Sequence, residues 1–437
     1  MDRLGVVDEI FLRTHRGLGT PIALQGLWRT ADRVEPALLQ RIHAALRVGP
    51  LGRRVIRPRV PGARRAWQPN TRAHPLEFTE STLPLEELLP WADTLGTDLD
   101  PEFGPGWRLA GRWLADGGSV VALTCSHALA DARGLVHAVD SALREVVDEA
   151  AVTRAVSAVA GRLESIAAEA EGAGDARSRC TAGSEWADAI RQWSIVVSGT
   201  IRALRHGIPE RPAHQEPVRA GGDELRVQGA VVQFRAVDWD RVAGEHCGTA
   251  NSLFIYLVAT VLWDTGFPLP TIEASLPVDT RDEPRVDNDL AMTEIVVDRA
   301  DTPATLRKKA RAAYEHRMSS PGGMPEELLQ VIPDRWAYAL SKGAGERDIL
   351  CSNIGTLPDS LRTVGDHPCI GVAARAIHPG LTATRLPRTR LSGYLCRSGD
   401  DYVLSLAGLD PAIESGSALA ELAVEAAARL GLDGTSW

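Results

Sequence analysis

The residues best suited to chemistry lie together in Thr124-Cys125-Ser126-His127-Ala128-Leu129-Ala130-Asp131-Ala132-Arg133-Gly134. An apolar run ends at His127, and Asp131 follows just before helical spacing begins. An imidazole titrates near neutrality, so His127 could accept a proton from an attacking group and return it to a leaving group. A strand end is a stiff platform for such a side chain. Asp131 could pair with a cation or cap the following helix. Cys125 and Ser126 sit beside the histidine, and a neighbouring nucleophile invites covalent chemistry. Adjacent strand residues point to opposite faces, however, which places Ser126 poorly for handing its proton to His127. His-x-x-x-Asp spacing alone fits equally well a histidine held by its neighbours for structural reasons.

The elements that must position these residues read as mixed α/β. Trp107 to Leu114 and Ser119 to Cys125 are strands joined through Asp116-Gly117, a hairpin turn signal. A helix is expected from about Gly134 to Val147, with Leu135, Val136, Val139 and Leu143 on one face. Ile22 to Trp28 is a short apolar run, and Glu35 to Leu46 has helical spacing. An Ala-rich helix is expected over Ala150 to Ala170, a small-residue loop after it, and another helix over Trp186 to Leu204. The Pro- and Gly-rich stretch His206 to Asp223 reads as the connection between two halves.

The second half begins with a strand at Val227 to Val237. A buried helix follows at Ser252 to Thr265, with Asn251 as its expected cap. Strands are expected at Thr271 to Val278, Ala291 to Val297, Ile349 to Cys351 and Tyr402 to Leu409. A basic helix is expected over Pro303 to Met318, and a last helix over Pro411 to Leu430.

With 437 residues the chain exceeds one compact core, so two subdomains are expected. The net charge of −9 argues against nucleic acid as a partner. Arg53, Arg54, Arg57, Arg59, Arg64 and Arg65 form a basic stretch without acidic residues between them. They either receive an anionic ligand or pair with acids elsewhere. The six cysteines contain no C-x-x-C pair and suggest no zinc site, so no metal is expected. No apolar run has the length of a membrane span, and the sequence shows no amphipathic segment rich in Trp and Phe of the kind that binds interfaces. The start lacks the apolar core of a signal peptide, which makes a reducing cytoplasm the expected compartment.

The 124–134 segment resembles the H-H-x-x-x-D-G motif of the condensation-domain superfamily, whose fold is that of chloramphenicol acetyltransferase. Here Ser126 stands for the first His and Ala132 for the Gly. Cys247 to Phe254, the stretch Leu276-Pro277-Val278-Asp279-Thr280-Arg281 followed by Asp287-Asn288, and Cys351-Ser352-Asn353-Ile354-Gly355 resemble further motifs in the same order. The superfamily includes nonribosomal peptide condensation domains, polyketide-associated acyltransferases and wax-ester synthase-type enzymes.

The resemblance implies two chloramphenicol acetyltransferase-like α/β subdomains, residues 1–180 and 181–437, each a mixed sheet flanked by helices, with a tunnel between them. It implies acyl transfer from a thioester to a hydroxyl or amine in specialised-metabolite biosynthesis, with His127 as general base and Asp131 paired to Arg281. The oxyanion and tunnel candidates are Ser126, Ser352 and Asn353, together with backbone N–H groups just after His127. Ser352 and Asn353 fit equally a Ser-Asn turn that caps a strand. No bound cofactor is implied. The co-substrate is an acyl thioester of coenzyme A or of a carrier protein's phosphopantetheine, the acceptor is a small molecule, no membrane partner is implied, and a monomer is expected. Arg307, Lys308, Lys309 and Arg311 form a basic face that could meet the donor or simply be solvated. The alternative, from another class, is a catalytically silent relative that recruits a carrier protein or enzyme partner.

Overall fold

The computed structural model describes residues 2–147, 182–206, 225–315, 327–341 and 345–437. The expected helix at Ala150 to Ala170, the loop after it, the connection at 206–223 and the division at 180/181 lie almost wholly outside these residues. Two large mixed sheets carry the architecture. The first has six strands in the order Thr363–Val364, His367–Ile377, Ala23–Thr30, Ser119–Ser126, Trp107–Leu114, Glu77–Leu83. The second has seven, in the order Gly434–Ser436, Gln228–Arg235, Asp401–Gly408, Leu391–Ser398, Ile349–Thr356, Thr271–Asp279, Leu290–Asp298.

Two apolar cores form, and residues of the second sheet such as Val231 and Val403 enter the first as well. Leu27, Leu39, Leu109 and Val120 are among those that fill the first. The second is built around the helix Ala250–Asp264, which buries Leu253, Phe254, Leu257, Val258 and Val261. Most of this helix is apolar and buried, while Tyr256, Thr260 and Trp263 form a partly exposed stripe. Its cap is Thr249, whose hydroxyl accepts from the Ser252 N–H at 3.2 Å, and not the expected Asn251. The Asn251 side chain instead donates to the Tyr314 hydroxyl at 3.0 Å.

The two parts are not two consecutive lengths of chain. Strand His367–Ile377, which follows four strands of the second sheet, pairs antiparallel with Ala23–Thr30 in the first. This crossing ties the two sheets together and brings its C-terminal end to the edge where the strand Ser119–Ser126 ends. The hairpin at Asp116-Gly117 forms as expected, with Leu109 opposite Leu123. The last helix is shorter than expected, Gly416–Ala428, because the Ser415 hydroxyl caps it from the Ala418 N–H at 3.1 Å.

Four arginines of the basic stretch form ion pairs, while Arg54 donates to Gln68 Oε1. Arg53 meets Asp287 at 2.5 Å, Arg57 meets Glu102 at 3.3 Å, and Arg64 meets Asp188 at 2.8 Å. Arg65 pairs with Glu9 and with Asp334. On the helix Pro303–Glu315, Lys309 pairs with Asp298 and Asp301, and Arg311 with Glu315.

Against the expectation of no amphipathic segment rich in Trp and Phe, an apolar face that carries two tryptophans is exposed. The helix Ala182–His206 leaves Trp186, Ile190, Trp193, Val197 and Ile201 exposed along one face, and Trp336 and Leu340 are exposed on the helix Asp334–Ser341. Helical spacing was legible at Trp186 to Leu204, but which face the rest of the chain covers is decided by packing. Among the described residues, no single helix is long and apolar enough to cross a membrane.

Candidate active site

His127 is the first residue beyond the strand Ser119–Ser126, in the turn that leads to the helix Ala132–Val147. That turn is held from several sides. The Leu129 N–H donates to the Ser126 carbonyl at 2.9 Å, and Arg53 Nη2 donates to the Leu129 carbonyl at 2.6 Å. The same guanidinium reaches Asp287 and lies 3.8 Å over the Trp67 ring. One member of the basic stretch thus clamps the turn that bears His127 to the 285–289 loop of the other half.

The imidazole is fixed by two residues. The Phe11 ring stacks on it, with centroids 3.5 Å apart and planes 10° from parallel. Its Nδ1 lies 3.1 Å from Asn288 Oδ1. The Asn288 amide cannot turn round freely, because its Nδ2 donates to Asp8 Oδ1 at 2.8 Å and to the His127 carbonyl at 3.0 Å. Oδ1 is an acceptor only, so the proton sits on Nδ1 and the lone pair is on Nε2. Burial pushes the His127 pKa down to about 4, while hydrogen bonds to its own backbone and to Asn288 oppose that shift. The ring is therefore neutral at neutral pH, the form a general base needs.

Asp8 and Phe11 lie three residues apart on the helix Val6–His15, hence on one face. Sequence reasoning did not find them. Their signal was the i, i+3 pairing of an acid with an aromatic in the first helix, which carries no meaning until His127 is seen beside it. Burial raises the Asp8 pKa to about 6, against hydrogen bonds from Asn288 and Gly5.

Asp131 and Arg281 meet as expected, Oδ2 to Nη2 at 2.6 Å, with side chains 7% and 8% exposed. Asp131 also performs the capping role, since its Oδ1 accepts from the Gly134 N–H at 2.8 Å. The two readings were not exclusive, because a carboxylate has two oxygens. Gly134 is required at that position. A Cβ there would stand 2.4 Å from the Val286 carbonyl oxygen, so only glycine lets the helix start approach the 286 backbone. The close approach that a glycine serves is made two residues after Ala132.

Between the sheets lies a cavity of about 580 Å³. His127, Asp131 and Arg281 line it, as do Ser352 and Asn353 from the strand Ile349–Thr356. The Asn353 side chain is committed. It donates to Asn251 Oδ1 at 2.9 Å and accepts from the Gly355 N–H at 3.0 Å. The Ser352 hydroxyl has no hydrogen-bond partner among the described residues. Ser126 does not line the cavity. It is buried, and its hydroxyl faces the Ala128 N–H at 3.4 Å. Strand alternation turns it away from the face that His127 serves, and the backbone N–H groups of Ala128 and Leu129 turn back to Ser126 with it. Trp28, Val136, Val139, Leu361 and Val372 are among the cavity's apolar lining. Trp28 folds along its own strand over Gly26, where a Cβ would lie 2.8 Å from the indole. Among the described residues, no group of three or more His, Cys, Asp or Glu is placed to hold a metal ion.

No family model matches the sequence, and no curated protein matches it. Solved structures do. The first condensation domain of the calcium-dependent antibiotic synthetase, in complex with a substrate analogue, aligns with a TM-score of 0.58 at 16% identity over 100% of this chain and 99% of its own. The chain has the condensation-domain fold. Polyketide synthase associated protein 5 from Mycobacterium tuberculosis aligns with a TM-score of 0.53 at 14% identity over 97% of both chains. The starter condensation domain of rhizomide synthetase, solved with C8-CoA and Leu-SNAC, aligns with a TM-score of 0.54 at 12% identity over 96% of this chain and 91% of its own. In this condensation-domain fold the cavity lies where two sheets meet, a common place for ligands.

Proposed function

We propose that this protein transfers an acyl group from a thioester, carried by coenzyme A or by a carrier protein, to the hydroxyl or amine of a small molecule in specialised-metabolite synthesis. The observation that carries the reading is His127 itself. It is neutral, has its Nδ1 tied to Asn288, and lines a cavity reached from both halves. His127 Nε2 takes the proton of the acceptor O–H or N–H as that atom bonds to the thioester carbonyl carbon. The C–S bond then breaks, and the thiolate takes the proton from the imidazolium. The thioester is already activated, so a base and an oxyanion donor are the parts the protein must supply. Ser352, with its uncommitted hydroxyl on the cavity wall, is our candidate for that donor. The apolar lining that includes Trp28, Val136 and Val372 suits a hydrocarbon acyl group.

The exposed stripe on the helix Ala182–His206 favours a second reading, a docking protein that recruits a carrier protein or enzyme. Acyl transfer measured by intact mass spectrometry separates the two. A panel of acyl-CoA and acyl-carrier donors is offered with mixed alcohols and amines to wild type and to His127→Ala. Product from the wild type alone supports acyl transfer. No product with any donor, together with carrier-protein binding that is indifferent to His127, supports docking.

A further inference from the structure

The strand register places a second histidine in a position equivalent to that of His127. Ala23 pairs with Ser126 on one side and with Ile377 on the other. Both outer strands run antiparallel to the central one, hence parallel to each other. His127 is the next residue after Ser126, and His378 is the next after Ile377. The two histidines therefore leave the same edge of the sheet at the same level, separated by two strand spacings, about 10 Å between Cα atoms. Both line the cavity.

The chemistry of His378 is settled by its neighbours. Its Nδ1 lies 2.8 Å from the Pro21 carbonyl oxygen, which can only accept, so the ring proton is on Nδ1. Burial pushes the ring's pKa down to about 4, the neutral form holds at neutral pH, and Nε2 carries a lone pair. That Nε2 is buried and has no hydrogen-bond partner among the described residues. A buried acceptor without a donor is destabilising, and such groups in native structures call for an explanation. An O–H or N–H of a ligand that reaches the ring from the cavity would complement it.

The geometry points to His378 as a recognition residue for the acyl acceptor: its Nε2 accepts from a second O–H or N–H, carried in addition to the group that is acylated. This rests on the acyl-transfer reading and names its substrate class, a diol, amino alcohol or diamine rather than a simple alcohol or amine. One end of the acceptor gives its proton to His127, and the other is held at His378. An amide N–H on the thioester's pantetheine arm offers the same chemistry, and the test separates the two sources.

The full chain is prepared with ring-15N histidine, in wild type and in two variants. His378→Phe deletes both nitrogens. His378→Asn deletes Nε2 but retains an N–H where Nδ1 meets Pro21, so folding and recognition are separable; thermal unfolding verifies the fold. The 15N signal of Nε2 is followed while 3-amino-1-propanol, 1-propanol or N-acetylcysteamine is added. The expected result is a shift of the His378 signal with 3-amino-1-propanol and none with 1-propanol. A signal that responds to N-acetylcysteamine alone assigns His378 to the thioester arm and overturns the proposal. So does a signal that responds to none of the probes, or a ligand-free ring protonated on Nε2. In acyl transfer with any donor that turns over, wild type should prefer 3-amino-1-propanol over 1-propanol by about tenfold in kcat/KM, a ratio that falls to about one in both variants. A ratio that survives in His378→Asn overturns the proposal. Binding at His378 without turnover from any donor would instead sink the acyl-transfer reading and leave the recognition site standing.

Discussion

Asp131 Oδ2 and Arg281 Nη2 lie 2.6 Å apart although 150 residues separate them in sequence. The pair joins the start of the helix after His127 to the end of a strand in the other sheet. Arg281 also donates to the Asp287 carbonyl at 2.8 Å, and the Asp289 N–H donates to Asp131 Oδ2 at 3.1 Å. The loop bearing Asn288 thus hangs on the same carboxylate that caps the helix.

Removal of one partner from so buried a pair leaves the other charge uncompensated. Arg281→Ala is expected to destabilise the protein by about 3–5 kcal/mol, measured by urea unfolding. Arg281→Lys should recover only part of this, because one ammonium cannot serve Asp131, Asp279 and the Asp287 carbonyl from a planar fork.

On the proposed acyl-transfer function, acid should abolish activity late. The base must be unprotonated, and the His127 pKa stands at about 4 rather than 6.5. The acid limb of kcat/KM is therefore expected near pH 4, with full activity at pH values where an ordinary histidine is already half charged. A limb at 6.5 would show that the free protein keeps this ring solvated. Stability carries the opposite burden. Between about 6.5 and 4 the unfolded chain protonates this histidine and the folded one does not, so stability falls as pH drops through that window. His127→Gln should lose less melting temperature than wild type on acidification.

Asn288 is expected to act on rate more than on binding. Asn288→Ala removes the acceptor from Nδ1 and the donors to Asp8 and to the His127 carbonyl. kcat should fall by roughly tenfold to hundredfold with KM little changed, measured with any competent acceptor. Asp8→Ala frees the amide to rotate and should show a weaker form of the same split.

Gly134→Ala places a methyl 2.4 Å from the Val286 carbonyl oxygen. Backbone must move, at a cost of about 1–3 kcal/mol read by thermal unfolding, and the Asp131 cap and Arg281 pair move with it.

The sequence by itself determined the local elements and singled out His127 as the candidate base. The hairpin at Asp116-Gly117, the apolar strand that ends before His127 and the helix after it are short-range patterns, set by turn chemistry and periodicity within a few residues. The motif order also led to the Asp131–Arg281 pair. Tertiary structure decided the rest, because it depends on contacts between residues far apart. Asp8 and Phe11 acquire meaning only when the first helix docks on His127. Arg53 becomes a clamp rather than an anion site only when Asp287 and the Leu129 carbonyl come within its reach. Ser126 leaves the cavity because of the face its strand presents. The strand that carries His378 joins the first sheet from the other half of the chain, and no local pattern encodes which distant strand it will pair with. That pairing is fixed by the burial of both sheet faces at once, a property of the assembled core.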